Sequence, residues 1–470
     1  MRKGLLAMVL STLVTMGILS CVRIRNDSRQ QRGNQCMYLQ RIRLVAWIAL
    51  CLVVVGGTAE GKIVIEHLHN PVQGLRLLEA TQAVAELFNA KQSDIEVKVT
   101  QSAGMYENTI ITRILGGDSP DVISLIGYHY ASYAYEGILA DLGPYIQRDG
   151  LDLGEVFVPV AYQYFLFEGE QLGLPQMILP FVTYYNRHHF DEAGLVNPQA
   201  LAANKQWTWE EIISLGKPLT YDSNADGVTD RYAIEFLGDQ EDRVVLYAHQ
   251  AGGSFFDVDV NPTKSLLTSP PVRQGVTFLH DLINVYRIAP PPRGFSDEYN
   301  MAGGNVSFTL EGVWQIQVFQ ETLKDAWDVA PLPHGPDNDA GMIHVDGVQM
   351  LSGIDHPEAA WEWIRFLTLD PEAVTIFTRV TEQPPVLLAN LPDYFGLFRS
   401  EITRSLATAM LHTIEHPGSK PLFPPTPAYR ELRDTFRPKM LEILGGEVAV
   451  EAGLEVLDQQ WNRILADYHN

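Results

Sequence analysis

An α/β fold in two lobes is what this sequence predicts, and three observations predict it. The chain has 470 residues, 46% hydrophobic and 19% charged, an ordinary globular balance in a chain longer than one hydrophobic core usually serves. From Lys62 onward, strand-like and helix-like apolar patterns alternate, as in a largely parallel sheet with crossover helices. Short-period repeats, heptads and low-complexity runs are absent from the sequence, which sets aside solenoids, coiled coils and disordered tails.

The elements follow in order. Residues 62–65 form a short β-rich run, and 75–89 carry Leu75, Leu78, Val84, Ala85 and Phe88 at helical spacing. Residues 96–100 alternate as a strand, 106–115 return to helical spacing, and Gly116-Gly117 stop that helix. Residues 122–125 read as a third strand. Pro120 fixes φ in the turn Asp118-Ser119-Pro120-Asp121, whose aspartates can take up nearby backbone N–H groups. Ligands of such sheets sit beyond the carboxyl ends of the strands. The residues expected just after two strands, Glu66 and His67, then Tyr128 and His129, are therefore candidate contacts. His67 and His69 could form half of a metal site, but no third and fourth ligands stand at a recognisable spacing.

Charge and cysteine content narrow the function. Residues 1–59 hold eight basic residues against Asp27, leaving 26 basic and 56 acidic residues, a charge of −30, for the rest. A field of that sign argues against nucleic acid and anionic headgroups as the main partner and says nothing about neutral ligands. All three cysteines, Cys21, Cys36 and Cys51, precede residue 60, so the body is expected to hold no disulfide and no thiolate metal site.

Two apolar stretches, 5–19 and 44–55, flank an arginine-rich segment. The second has signal-peptide anatomy: Arg41 and Arg43 in front, then Gly57-Thr58-Ala59 with small residues where cleavage is recognised. Residues 37–59 are expected to be the signal, cut after Ala59, with Met37 as the start and 1–36 an upstream extension or spurious start. The alternative takes Ile18-Leu19-Ser20-Cys21 as a lipoprotein box with Cys21 lipidated, which leaves the second stretch unexplained.

The motifs carry a resemblance. Residues 106–125 read YENTIITRILGGDSPDVISL; GILADLGPYI, LPQMILPFVTYYN and WTWEEIISLGKPLT follow, then Gly252-Gly253, Leu310-Glu311-Gly312-Val313-Trp314, Asp346-Gly347 and HPEAAWEWIRFL. In this order and spacing the chain resembles the family 1 extracellular solute-binding proteins, the sugar receptors of ABC importers. Where that family commonly has Phe-x-x-Gly-Lys-x-Ala-Met, this chain has residues 301–308, MAGGNVSF. The resemblance implies a two-lobed periplasmic-binding-protein fold of type II, with the ligand cleft between lobes joined by chain crossovers. It places residues 60–178 and 304–347 in an N-terminal lobe and 179–303 and 348–470 in a C-terminal lobe. The crossings are expected at Leu179-Pro180-Phe181, near Gly303-Gly304 and at Gly347.

Sugars present apolar faces edged by hydroxyls, so their sites need aromatic platforms and fixed polar partners. Trp314, where the family often carries a cleft tryptophan, is the expected platform. Trp207 and Trp209 are read as packing the start of a helix. Tyr184 and Tyr185 are adjacent, so only one can face the cleft, and Tyr184 is the choice. Asp346 and Gln349, flanking Gly347, are expected hydroxyl partners.

The loop 222–230 places Asp222, Asn224, Asp226, Val228 and Asp230 at EF-hand positions, with Gly227 at six, but position twelve is Ala233. It reads either as a structural Ca2+ site or as a plain Asx/Gly turn. No cofactor is otherwise required. The function implied is a periplasmic or extracellular binding protein, a monomer, that captures a sugar by cleft closure and delivers it to the membrane permease. The alternatives are a secreted glycoside hydrolase, whose two spaced carboxyl groups an acidic chain could supply, and a sugar-sensing receptor subunit.

Overall fold

The computed structural model describes residues 62–469, apart from 103, 237–239, 293–298, 325, 399 and 422 and the side chains of 159, 242 and 400. The expected signals at Cys21, Met37 and Ala59 lie outside the described residues. Among these residues no helix is long and apolar enough to cross a membrane.

The elements that place the cleft are, in chain order, β1 (Ile63–His69), α1 (Leu75–Lys91), β2 (Ile95–Gln101), α2 (Tyr106–Gly116), β3 (Val122–Ile126), β4 (Leu174–Asn186), α3 (Trp209–Leu219), β5 (Tyr232–Glu235), α4 (Glu241–Gln250), β6 (Val306–Gly312), β7 (Trp327–Ala330), β8 (Met342–Met350), α5 (Pro357–Leu369), α6 (Pro371–Thr381), α7 (Ser400–Glu415), α8 (Tyr429–Leu444) and α9 (Val450–His469). The strands belong to a nine-stranded sheet whose main path runs β2-β1-β3-β8-β4-β6-β5, with β7 against β4 and the two-residue strand Lys420–Pro421 against β8. β1 lies parallel to β2 and β3, as the strand–helix alternation predicts. β8 is antiparallel to both β3 and β4, so the whole sheet is mixed.

Local sequence explains the first units. Leu78, Thr81, Val84, Ala85 and Phe88 make the buried face of α1, at the spacing that puts side chains on one stripe of a helix. α2 ends where Gly117 turns left-handed at φ 73°, its N–H returning to Ile114 O at 3.1 Å. The Asp-Ser-Pro-Asp turn then works as its residue types suggest, since Asp121 Oδ2 accepts the Glu66 N–H at 2.8 Å. Thr208 caps α3, accepting from the Glu211 N–H at 3.3 Å. Trp209 stacks on Phe278 at 4.1 Å, the helix-packing role expected of it.

Two large cores flank the sheet, with a third, smaller cluster around Val182, Tyr184, Phe319 and Trp327. One gathers Ile65, Val84, Phe88, Val122, Phe165, Val345, Trp363 and Phe377; the other gathers Phe181, Trp209, Ile234, Phe308, Phe423, Leu432 and Trp461. The expected lobe assignment after residue 303 is corrected by this partition. β6 pairs with the second half of β4 and with β5, so residues 306–312 belong with the C-terminal core. α5 and α6 carry Trp363 and Phe377 into the N-terminal core, which therefore holds 357–381. Gly303-Gly304 is a turn entering β6, not a crossing; Gly304 has φ 78°, and Met301 N–H bonds Glu235 Oε1 at 3.1 Å.

The crossing at Leu179-Pro180 is where it was expected. β4 pairs with β8 up to Pro180↔Ile343 and with β6 from Phe181↔Gly312 onward. Opposite Asp346 and Gly347 the register shifts from Met177 to Pro175, leaving Gln176 of β4 without a β8 partner, a bulge that lets β4 bend. A Cβ on Gly347 would lie 2.5 Å from the Phe165 ring and 2.7 Å from Leu174 O, so this position opposite the bulge admits only glycine without displacing backbone.

Burial creates a pH dependence. His67, which is 0% exposed, accepts from the indole N–H of Trp363 through Nδ1 at 3.1 Å. An indole can only donate, so Nε2 carries the proton and donates to Ser124 Oγ at 2.8 Å. Burial pushes His67 down to about 3 and His69 to about 4; His249 also falls to about 4. For a base with a lowered folded pKa, the stabilisation is complete above the ordinary 6.5 and drains as pH falls toward the folded value, because the unfolded chain binds the proton first. The urea midpoint is expected to drop steadily from about pH 6.5 to about pH 4, and a His67→Asn variant to show a shallower slope. An unchanged slope would remove His67 as a contributor.

Candidate functional site

The cleft forms where strand ends of both cores converge on β8. From the N-terminal side come Gln73, just after β1, and the turn Gly127–His129 after β3. The C-terminal side supplies Glu311 and Trp314 at the end of β6, Arg243 on α4 and Tyr429 at the start of α8. β8 itself supplies His344 and Asp346.

Asp346 is the fixed point. It is 5% exposed; Oδ1 accepts from His344 Nε2 at 2.7 Å and the Gly127 N–H at 3.1 Å, while Oδ2 accepts from Gln73 Nε2 at 3.1 Å. One carboxylate in the middle of β8 thus ties the turns that follow β1 and β3 to that strand. Asp346, expected as a hydroxyl partner, holds the site's scaffold through these three bonds. A Cβ on Gly127 would overlap the Val345 carbonyl oxygen and press on the Tyr164 ring. Gly127→Ala is therefore expected to destabilise at or beyond the upper end of the about 1–3 kcal/mol range of overpacking, and urea denaturation within about 0.5 kcal/mol of wild type would contradict this packing.

Trp314 stands where a platform was expected. It is half-buried, its ring 5.3 Å from Phe181 and 5.8 Å from His344. The Arg243 guanidinium lies over it at 5.4 Å and is held by Glu311 through contacts of 2.7, 2.9 and 3.2 Å. Glu311 is 5% exposed. Nearby, Glu235 at the end of β5 is pushed up to about 7, chiefly by burial.

Tyr128 and His129 also reach the cleft. Tyr128 meets Tyr429 of the opposite lobe at 4.6 Å and His344 at 5.5 Å. His129 Nδ1 lies 3.2 Å from Glu107 Oε1, and this hydrogen bond, ahead of other causes, holds the Glu107 carboxyl down at about 2. The Tyr429 hydroxyl bonds Glu241, which Arg437 also meets at 3.3 Å. A cavity of about 630 Å³ opens beside these groups, lined by Glu107, His129 and Tyr133 from one lobe and Tyr429, Arg430 and Arg433 from the other. Aromatic faces, carboxylates and guanidinium groups from both sides suit a polyhydroxylated ligand.

Four expected contacts lie elsewhere. β1 runs on to His69, four residues past the expected strand end, so Glu66 and His67 sit within it. Glu66 is occupied by Arg113 at 2.7 and 2.8 Å and by Thr100 at 2.6 Å, and His67 is buried against Trp363. Tyr184 is 0% exposed, its hydroxyl donating to Gly312 O at 3.2 Å. Gln349 pairs with Ile123 near the opposite end of β3 from the cleft and is buried against Gly173. Sequence reading missed Gln73, Arg243, Glu311, His344 and Tyr429.

In the loop 222–230, Asp222 Oδ2 accepts the Gly227 N–H at 2.8 Å, Asp226 Oδ1 the Val228 N–H at 2.8 Å and Asp230 Oδ2 the Ser223 N–H at 2.6 Å. Among the described residues no group of three or more His, Cys, Asp or Glu side chains is arranged to hold a metal ion.

Comparison with known proteins decides the family. The model of the bacterial extracellular solute-binding protein family matches residues 76–374, more than half the chain and both sides of the cleft. The chain belongs to that family. An arabinooligosaccharide-binding protein of Halalkalibacterium halodurans is 25% identical over 57% of this chain and 59% of its own length, so the match leaves a substantial part of that relative uncovered. A maltotriose-binding protein of Pyrococcus abyssi is 24% identical over 71% of this chain and 68% of its own. Among solved structures, an ABC substrate-binding protein of Listeria monocytogenes in complex with cycloalternan superposes with a TM-score of 0.72 at 23% identity, over 86% of this chain and 100% of that one. The sugar-binding protein MalE of Xanthomonas citri gives 0.72 at 19% identity, over 86% and 98%. The two-lobed fold expected from sequence is thereby established for this solute-binding protein. These two curated relatives are named as binding proteins.

Proposed function

We propose that this solute-binding protein captures a sugar or oligosaccharide by cleft closure and delivers it, as a monomer, to the permease of an ABC importer. The observation that carries the reading is the convergence of Trp314, Arg243 and Tyr429 from one lobe on Tyr128 and His129 from the other, around the Asp346-tied floor. Contacts drawn from both lobes exist together only in the closed state, which couples ligand binding to shape. The names of the two relatives point to arabino- or malto-oligosaccharides as the first ligands to try. Export is proposed through residues 37–59, cut after Ala59, with lipidation at Cys21 as the competing anchor; mass spectrometry of the secreted chain separates the two.

No catalytic role is proposed, because the cleft carboxylates Glu107, Glu241, Glu311 and Asp346 are each engaged by His129, Arg437, Arg243 or His344. The test is a melting panel of mono- and oligosaccharides with a turnover assay alongside. A ligand at a hundred times its Kd should add about 2.7 kcal/mol of stability. Hydrolysis without any melting shift would replace the receptor reading with an enzyme. Binding needs no cofactor. A structural Ca2+ in the loop 222–230 is a separate proposal: a melting difference between calcium and EGTA assigns the ion, and equal melting removes it.

A further inference from the structure

We propose that His344 is a ligand-contacting residue on the cleft floor, a hydroxyl acceptor whose polarity Asp346 fixes. The inference rests on the carbohydrate-receptor reading and names a contact within that site. His344 lies on β8, the strand shared by both lobes, two residues before Asp346 and therefore on the same strand face. Its ring sits between Trp314 of one lobe at 5.8 Å and Tyr128 of the other at 5.5 Å. Although only 8% exposed, it stands where the two aromatic surfaces meet.

The two ring nitrogens have different tasks. Nε2 lies 2.7 Å from Asp346 Oδ1. A carboxylate already receiving the Gly127 N–H and the Gln73 amide can only accept, so Nε2 carries the imidazole proton. Nδ1 makes no hydrogen bond with any described residue and is not sealed from solvent. In the neutral ring Nδ1 is then the acceptor nitrogen, on an imidazole flanked by Trp314 and Tyr128. A sugar held at Trp314 can donate a hydroxyl to it; a deoxy or O-methyl group at that position cannot. Sites built around one hydrogen bond discriminate strongly against ligands that lack the donor. Asp346 is a positioning residue here, acting through the tautomer it selects.

Two measurements on the whole protein test this. Long-range 15N–1H spectra of histidine-labelled protein, with the His344 signal identified by its loss in His344→Gln, should show Nε2 protonated and Nδ1 bare in mildly alkaline buffer. In Asp346→Asn the same signal should move toward a tautomer mixture. A proton on Nδ1 in the wild type overturns the proposal, whatever the ligand proves to be. Calorimetry with maltotriose and arabinotriose supplies the second measurement. His344→Leu, close in volume, should weaken the sugar that binds by about tenfold or more, and His344→Gln, which keeps an acceptor, should recover part of the loss. Unchanged affinity in His344→Leu overturns the contact while leaving the receptor reading intact. If no sugar of the panel binds the wild type, the receptor reading fails and the contact falls with it.

Discussion

Alanine at Glu311 is expected to lower stability by about 3–5 kcal/mol, the cost of breaking a buried ion pair by removing one partner. Glu311 sits at the end of β6, a strand in which every residue is buried, and it receives Arg243 through both guanidinium terminal and ε nitrogens. Removing the carboxylate leaves Arg243 inside the lobe without its bidentate acceptor, against the face of the Trp314 ring. The informative control replaces both residues, Arg243→Met with Glu311→Leu, and should recover much of the loss, since well-packed apolar pairs often match a buried ion pair in stability. Urea denaturation decides the matter: a Glu311→Ala cost below about 1 kcal/mol would mean that the pair is solvated like a surface bridge.

Trp314→Ala is expected to weaken sugar binding by roughly 2 kcal/mol, about 30-fold in Kd, the scale of a central aromatic contact. Phe181, His344 and the Arg243 cation surround the ring, so its orientation is set before a ligand arrives. Such preorganisation means that the loss should fall mainly on the dissociation rate. Trp314→Phe keeps a platform and should lose less. Calorimetric affinities equal to wild type in the alanine variant would remove Trp314 from the site, and a matched thermal scan separates that outcome from simple unfolding.

The first three strands and two helices were legible in the sequence because each carries its own period and stop signal. Gly117 and the Asp-Ser-Pro-Asp turn act through local geometry that needs no tertiary partner. Tyr128 and His129 were placed at the cleft for the related reason that position after a strand implies position there, and Trp314 was placed by its match to the family motif. Glu66 and His67 were misplaced because the Ile63–His69 strand mixes histidines with apolar residues, and its far end alternates too weakly to announce itself. Once that end moves, residues thought to follow the strand become part of it. His344 could have been found from its two-residue offset to Asp346. Glu311, the one charged residue of the run VSFTLEG, was a comparable signal. Tyr429 and Arg243 had none, because only the fold brings 429 beside 128 and 243 beside 314. The lobe boundaries after residue 303 failed for the same cause: which strand β6 joins is decided by pairing across more than a hundred residues, and no local pattern encodes it.

β4 and β8 each contribute residues to both cores, Ile178 and Val345 to one, Phe181 and Met342 to the other. Neither lobe is a continuous piece of chain, and neither can be excised as an independently folding unit by a single cut. Heat should therefore melt the described body in one cooperative transition, with calorimetric and van't Hoff enthalpies in agreement. Grafting one lobe onto a relative would demand matching both shared strands and the bulge opposite Asp346-Gly347, so lobe exchange within the family is constrained by these two strands more than by the surfaces that meet the ligand.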